Sequence, residues 1–550
     1  MNDNGFSRRR ILAGALGTLA GVAAAQTAHA APLTASTAST ASTAASTADS
    51  PVTDGGSSRP ATIPALREWT ARSGSFRIGP SSRILVRPTD SHRLRSDAGL
   101  LAEDLRALTG HAGRTVITND APQSGDVVLD LRARDTLLGT EGYLLTVGES
   151  VRISARASAG VFYGTRTLLQ LLRQNTTVPA GTARDWPRYA ERGLMIDIAR
   201  KHHSYDWLAA HIKDLAYLKL NYLHIHFSDD EGWRIESRDG LQSPEYLTKD
   251  QVRSLIELAA RHHITVVPEI DMPGHLGWAL RSHPEFQLKD TDGNIAPNKI
   301  DYSIPAARKF LRDLVEEYLP LFPAPYWHMG SDEFLGEAEF LKYPQLDAYA
   351  KDTLGPTATA KDGIHGLVND FNKLVRSRGR TLRVWNDTFT PDSLFPVDKN
   401  VVVEWWTDLN TPIPSTNPVT PQELVTEGYT VLNASFYPTY AYPVPSSPSP
   451  ATPRAMYENW AVHRFHGFAY FDDNGTGFPF HDLAPAEPGN RGAAVHFWSG
   501  GSTTWTEEQT AASLFPRLRV MAQKTWESAP LVSTYEEFEP IVQQLGSAPS

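Results

Sequence analysis

The chain has 550 residues, too many for one ordinary domain, and at 41% hydrophobic it can bury sizeable cores. It has no cysteine, which excludes disulfides, thiolate nucleophiles and Cys-ligated zinc. A formal net charge of −10 argues against nucleic acid or an anionic membrane surface as partner, and 13 tryptophans suit stacking on a sugar as well as filling cores.

In chain order, residues 1–30 read as an export signal. "SRRRILAGALGTLAGVAAA" is a basic stretch followed by an apolar, Ala/Gly-rich one, and Ala28-His29-Ala30 is an A-x-A cleavage site. Ser7-Arg8-Arg9, with Ile11-Leu12 behind, is similar to a twin-arginine signal, so a secreted protein exported by that route is expected. The run is too short and glycine-rich for a permanent membrane span, and no other segment is long and apolar enough for one. Residues 31–58 are an Ala/Ser/Thr-rich stretch with no face that could bury a core, expected to be a disordered spacer.

Residues 59–188 alternate short strands with amphipathic helices. "SFRIGPSSRILVRP", "DVVLDLRA" and "EGYLLTVGESVRISARA" are strands broken by Gly, Pro and Ser. "RSDAGLLAEDLRALTG" and "SAGVFYGTRTLLQLLRQ" carry apolar residues at helical spacing, and glycine stops the first. This predicts a small α+β domain without a cluster of catalytic residue types.

From 189 to 550 the rhythm becomes strand then helix. Eight strand candidates are "GLMIDIAR", "NYLHIHFSDD", "ITVVPEID", "YWHMGSDE", "TLRVWND", "NVVVEWWT", "YTVLNASFY" and "AAVHFWSG". Helical stretches such as "YDWLAAHIKDLAYLKL" and "KDQVRSLIELAARHH" lie between several of them. The pattern predicts a (β/α)8 TIM barrel, with an open doubly wound sheet as the alternative; no Gly-rich phosphate turn follows the first strand.

A barrel of this kind works at the C-terminal ends of its strands. Those ends carry Arg200, Asp229-Asp230, Glu269, Asp271 and His275, Asp332-Glu333, Trp385 with Asp387, Glu404 with Trp405-Trp406, Tyr437 and Trp498. A metal site is the competing reading, since His224 and His226 share one strand face. No H-E-x-x-H accompanies them, so they are read as interior histidines bonded to carboxylates, with no metal and no cofactor. His202, His203, His262 and His263 are expected at helix ends or on the surface.

"LMIDIARKHHS", "LHIHFSDDEGWRIE", "VVPEIDMPGH", "WHMGSDEF" and "LRVWND", in this order on these strand ends, resemble the signature segments of family 20 glycoside hydrolases, the β-N-acetylhexosaminidases. The resemblance covers most of residues 190–500, and the α+β domain resembles the non-catalytic domain that commonly precedes that barrel. It implies a carbohydrate substrate with a β-linked N-acetylhexosamine. It also implies retaining, exo-acting hydrolysis in which the substrate's own acetamide oxygen is the nucleophile and forms an oxazolinium ion, so one protein acid suffices.

By resemblance Glu333 is that acid and then the base for water, a role that needs a raised pKa. Asp332 accepts from the acetamide N–H, and a tyrosine, Tyr437 or its rival Tyr440, donates to the acetamide oxygen. Adjacent residues of an extended segment point opposite ways, which would let the two acids serve different groups. Trp385, Trp406 and Trp498 wall the acetamide pocket, with Trp405 the alternative to Trp406. Arg200 grips sugar hydroxyls, unless it merely pairs with Asp197 or Glu269. Asp229 and His275 support the acids, and Asp230 anchors a loop.

Two positions depart from the family pattern. Gly500 stands where an acid often reaches the outer hydroxyls, and Thr439 replaces the Asp of a Tyr-Leu-Asp run. Both changes concern the far edge of the sugar. They leave open a lacto-N-biosidase-type enzyme releasing a disaccharide. An inactive carbohydrate-binding protein and a metal-dependent barrel hydrolase also stay open.

Overall fold

The structure is a computed structural model describing residues 59–549 except 112, 337, 391–392, 408–418, 444–451, 467–479 and 501–504. The expected signal and spacer lie outside the described residues, as does most of the Pro-rich "YPVPSSPSPATP".

Among the described residues, eight parallel strands close a barrel: β1 (Glu191–Asp197), β2 (Tyr222–His226), β3 (Thr265–Glu269), β4 (Tyr326–His328), β5 (Thr381–Trp385), β6 (Val402–Trp405), β7 (Thr430–Asn433) and β8 (Asn490–Phe497). Each pairs with the next and β8 returns to β1. All eight sequence-predicted strands are present. The register sets Asp197 beside His226, His226 beside Glu269, and Glu269 beside His328, so one level of the barrel is charged.

Helices between the strands start where the sequence supplies caps. Ser204 accepts from Trp207 N–H at the head of Tyr205–Tyr217, and Thr248 with Gln251 forms a reciprocal capping box before Lys249–Arg261. Each keeps an apolar stripe buried, Leu208, Ile212 and Leu215 on the first and Val252, Leu255 and Ala259 on the second.

The preceding domain is a seven-stranded mixed sheet with helices Ser91–Thr109 and Ser158–Gln174. Gly110, at φ +76, ends the first helix as predicted. Two strands are new, Arg114–Ile117 and Thr177–Asp185. The second carries Pro179 and Gly181, residues that weaken a strand pattern, yet it pairs on both sides. This domain meets the strand-start end of the barrel: Glu141 pairs with Arg192 at 2.9 Å, and Asp185 with Lys219 at 3.3 Å.

Candidate active site

Strand β4 ends at His328 and the chain then turns sharply. Gly330, Ser331 and Glu333 take φ values of +70, +76 and +51. The acid pair is therefore not on an extended segment, which corrects the alternation argument for how the two carboxyls diverge. A Cβ on Gly330 would fall 1.8 Å from Asp271 Oδ1, so only glycine fits there. Ser331 N–H donates to Asp271 Oδ1 at 3.1 Å, and Thr388 Oγ1 donates to the Ser331 carbonyl. Glu333 N–H donates to Asp387 Oδ2 at 2.8 Å, and Lys299 Nζ donates to the Glu333 carbonyl at 3.2 Å. Asp332 is buried, and the Glu333 side chain is 11% exposed.

Further charged groups link the barrel to this pair. His275 Nε2 lies 3.5 Å from Glu333 Oε2 and 3.7 Å from Asp332 Oδ2, while its Nδ1 lies 3.3 Å from Asp229 Oδ1. Burial works against a charged His275, but Asp229 and Asp332 overcome it and hold its pKa well above 6.5. Burial would likewise raise Asp229, yet Arg200 and His275 keep its carboxyl well below the usual range. Arg200 pairs with Asp229, with Asp197 at 3.0 Å, and sits 5.4 Å from the Trp498 ring. The suggested Arg200–Glu269 pair does not form. Glu269 instead faces His226 at 2.7 Å and His224 at 3.0 Å, and accepts from Trp385 Nε1 at 2.8 Å. Asp230 anchors its loop as expected, accepting from Gly277 N–H and Asn298 Nδ2, both at 3.0 Å.

The aromatic residues gather beside these charges. Trp385 and Trp498 lie 5.9 Å apart, and Tyr440 is 5.8 Å from Trp498 and stacked on Trp406 at 6.2 Å. Tyr440 is carried there by a two-residue strand, Tyr440–Ala441, paired to the end of β8. Trp406 Nε1 donates to Asp387 Oδ1 at 3.0 Å. Trp405 faces elsewhere, donating to the Val419 carbonyl and packing on Phe465. Tyr437 is buried with its ring 5.2 Å from His466.

The histidines of "HIH" sit in the barrel interior against carboxylates, as the sequence suggested. Among the described residues, four His/Asp/Glu groups come close enough to share a cation, such as His224, Glu269 and His328. In that group both histidines face Glu269; despite burial, the charges of His226 and His328 and a hydrogen bond from His224 hold its carboxyl well below the usual range. His203 lies directly before the N-cap Ser204, at a helix end as expected, and is buried there with its ring 4.3 Å from that of Trp207.

The model of glycosyl hydrolase family 20, catalytic domain, matches residues 189–529, and that of family 20, domain 2, matches residues 59–186. The chain belongs to glycosyl hydrolase family 20. A lacto-N-biosidase from Bifidobacterium bifidum is 32% identical over 504 residues, 89% of this chain and 42% of that protein. A β-N-acetylhexosaminidase from Cellulomonas fimi is 32% identical over 376 residues, 63% of this chain and 68% of that protein. A solved structure, the family 20 β-N-acetylhexosaminidase of Streptomyces coelicolor A3(2), shares the fold at TM-score 0.68 and 24% identity, covering 89% of this chain and 96% of that one. The chain spans about half the length or less of several curated relatives it matches.

Within this family 20 chain the two departures look different in three dimensions. Thr439 is buried, donating to the Ser435 carbonyl at 2.7 Å and lying 3.2 Å from His496 Nδ1. Gly500 abuts Arg200: a Cβ there would lie 2.9 Å from Arg200 Cδ. Three polar neighbours of the acid pair received no role from the sequence. Asp271 and Asp387 were visible as strand-end acids, but only the turn at 330–333 brings them to the acid pair's backbone. Lys299 arrives on a hairpin, Gln287–Lys289 with Ile295–Ile300, whose one sequence signal was Asp292-Gly293-Asn294 at its turn.

Proposed function

We propose that this chain is a retaining, exo-acting β-N-acetylhexosaminidase working by substrate-assisted catalysis. The observation that carries the reading is the adjacent pair Asp332–Glu333 at the mouth of the barrel, backed by His275, Asp229 and Arg200 and flanked by an aromatic wall. Glu333 gives its proton to the glycosidic oxygen, and the leaving sugar departs as an alcohol. The substrate's acetamide oxygen attacks the anomeric carbon as that bond breaks, giving the oxazolinium ion. Glu333, now a carboxylate, takes a proton from water, which opens the ring with retention.

Asp332 accepts from the acetamide N–H and stabilises the developing positive charge. Trp385, Trp406, Trp498 and Tyr440 enclose the acetamide methyl and keep water from the reactive carbon. With Tyr440 stacked into that wall, Tyr437 is the donor to the acetamide oxygen. Arg200 binds sugar hydroxyls, and His275, held as an imidazolium by Asp229, orients both acids. The basic-then-apolar N-terminal stretch supports export by the twin-arginine route.

The test is hydrolysis of an aryl β-N-acetylglucosaminide by the mature protein beside Glu333→Gln. Turnover by the parent and a loss of about 10²–10⁴-fold in the variant are expected. A second reading, release of a disaccharide, is favoured by Gly500 beside Arg200 and by the lacto-N-biosidase that matches 89% of this chain. An aryl disaccharide ending in N-acetylglucosamine, turned over in preference to the monosaccharide, would establish it. Silence on both substrates would leave a carbohydrate-binding protein.

A further inference from the structure

Glu333 sits in a left-handed conformation, φ +51, that residues with a Cβ adopt only at a cost and keep only when their surroundings enforce it. Two side chains enforce it here, one on each of its peptide groups. Asp387 takes the Glu333 N–H at 2.8 Å, and Lys299 Nζ donates to the Glu333 carbonyl at 3.2 Å. Neither holder is itself loose. The second oxygen of Asp387 accepts from Trp406 Nε1 at 3.0 Å, so one buried carboxylate joins the aromatic wall to the acid's backbone. Lys299 is fixed by its hairpin. Its neighbour Asn298 donates to Asp230 Oδ2 and accepts from Leu276 N–H, both at 3.0 Å, and Ile300 N–H donates to the Pro273 carbonyl at 3.1 Å. The hairpin is thereby tied to the loop that carries His275.

We propose that Asp387 and Lys299 are positioning residues that clamp the backbone on either side of Glu333 and so aim its carboxyl at the leaving group. The proposal rests on Glu333 being the general acid. Its consequence is specific: a loosened clamp impairs proton delivery more than sugar binding. The loss then depends on how much the leaving group needs the proton, since an activated aryl oxide departs without it and an alkyl or sugar alkoxide does not.

The experiment compares kcat/KM of the parent, Asp387→Ala, Lys299→Met, Lys299→Arg and Glu333→Gln on a series of β-N-acetylglucosaminides. The series runs from dinitrophenyl through phenyl to a second sugar as leaving group. Asp387→Ala and Lys299→Met are expected to lose about 10²-fold on the poorest leaving groups, the order of a 1 Å misplacement, and far less on the dinitrophenyl glycoside. Lys299→Arg, which keeps a donor, is expected to recover much of the loss. Thermal unfolding of each variant identifies any that fails to fold; should Asp387→Ala do so, the Lys299 pair decides alone. Equal losses across the series in the clamp variants, with Glu333→Gln still leaving-group dependent, would overturn the clamp and spare the acid. A Glu333→Gln variant as active as the parent on poor leaving groups, or a parent inert on the whole series, would overturn both.

Discussion

The Asp387 carboxyl is buried, takes hydrogen bonds from Glu333 N–H and Trp406 Nε1, and faces the charge of Asp332. Burial first, and Asp332 second, push its pKa up to about 7. In an unfolded chain the same group titrates near about 3.9. Between those values the folded state keeps a proton that the unfolded state has released, so this group makes stability fall as pH rises from about 4 to about 7. Asp387→Asn removes that dependence. The melting temperature of the variant, minus that of the parent, should therefore grow more positive from pH 4 to pH 8; a difference that stays flat would contradict the raised pKa. At this scale the sequence was legible where an apolar strand runs through glycine into acids, as at Asp332 and Glu333. It showed Asp387 only as a strand-end acid without a role and gave no sign of Lys299, 54 and 34 residues from the backbone they bond, because their contacts exist only once Gly330, Ser331 and Glu333 turn left-handed.

The strands were legible because each is a near-continuous apolar run ending in charge or aromatics, the mark of a parallel sheet covered on both faces. What the runs concealed is how much charge they carry inward. Arg383 of β5 bonds Glu404 of β6 at 2.9 Å and pairs with Glu191 of β1, and His328 of β4 and His496 of β8 lie 3.8 and 3.9 Å from Glu404. All five side chains are buried. Burial would raise the Glu404 pKa, yet His328, His496 and Arg383 pull it far below the carboxylate range. Glu404 thus gathers polar neighbours from three strands and is a counter-charge for Arg383. Glu404→Ala leaves the Arg383 guanidinium without one of its partners in a dry interior, and a loss of about 3–5 kcal/mol in urea denaturation is expected. Glu404→Gln, which keeps an acceptor for Arg383, should cost less. Equal and small effects of both would mean the interior is wetter than its burial implies. The hairpin at 287–300 went unseen at this scale because its strands are short and polar, and pattern alone does not distinguish them from a loop.

The two ends of the barrel divide the labour of the molecule. The acids, Arg200 and the tryptophan wall lie where the strands finish; the α+β domain is fastened where they begin. Asp185 is the hub of that junction. It accepts from Tyr143 OH at 2.6 Å, from Trp526 Nε1 at 2.9 Å and from Arg67 N–H at 3.1 Å, and pairs with Lys219 at 3.3 Å, both side chains fully buried. Burial lowers the Lys219 pKa, with Asp185 opposing. A residue at the strand-start face of such a barrel affects stability rather than chemistry. Asp185→Ala leaves the Lys219 ammonium buried without its counter-charge and is expected to lose about 3–5 kcal/mol of unfolding free energy. The folded fraction should hydrolyse the aryl glycoside with the parent's kcat/KM. Trp498→Ala should do the reverse at the other end, raising KM and lowering kcat in excess of any change in melting temperature, because the wall it belongs to borders the reacting carbon in the proposed mechanism. If Asp185→Ala instead lowered kcat/KM at constant fold, the α+β domain would be acting through the barrel on the acid pair rather than only bracing it.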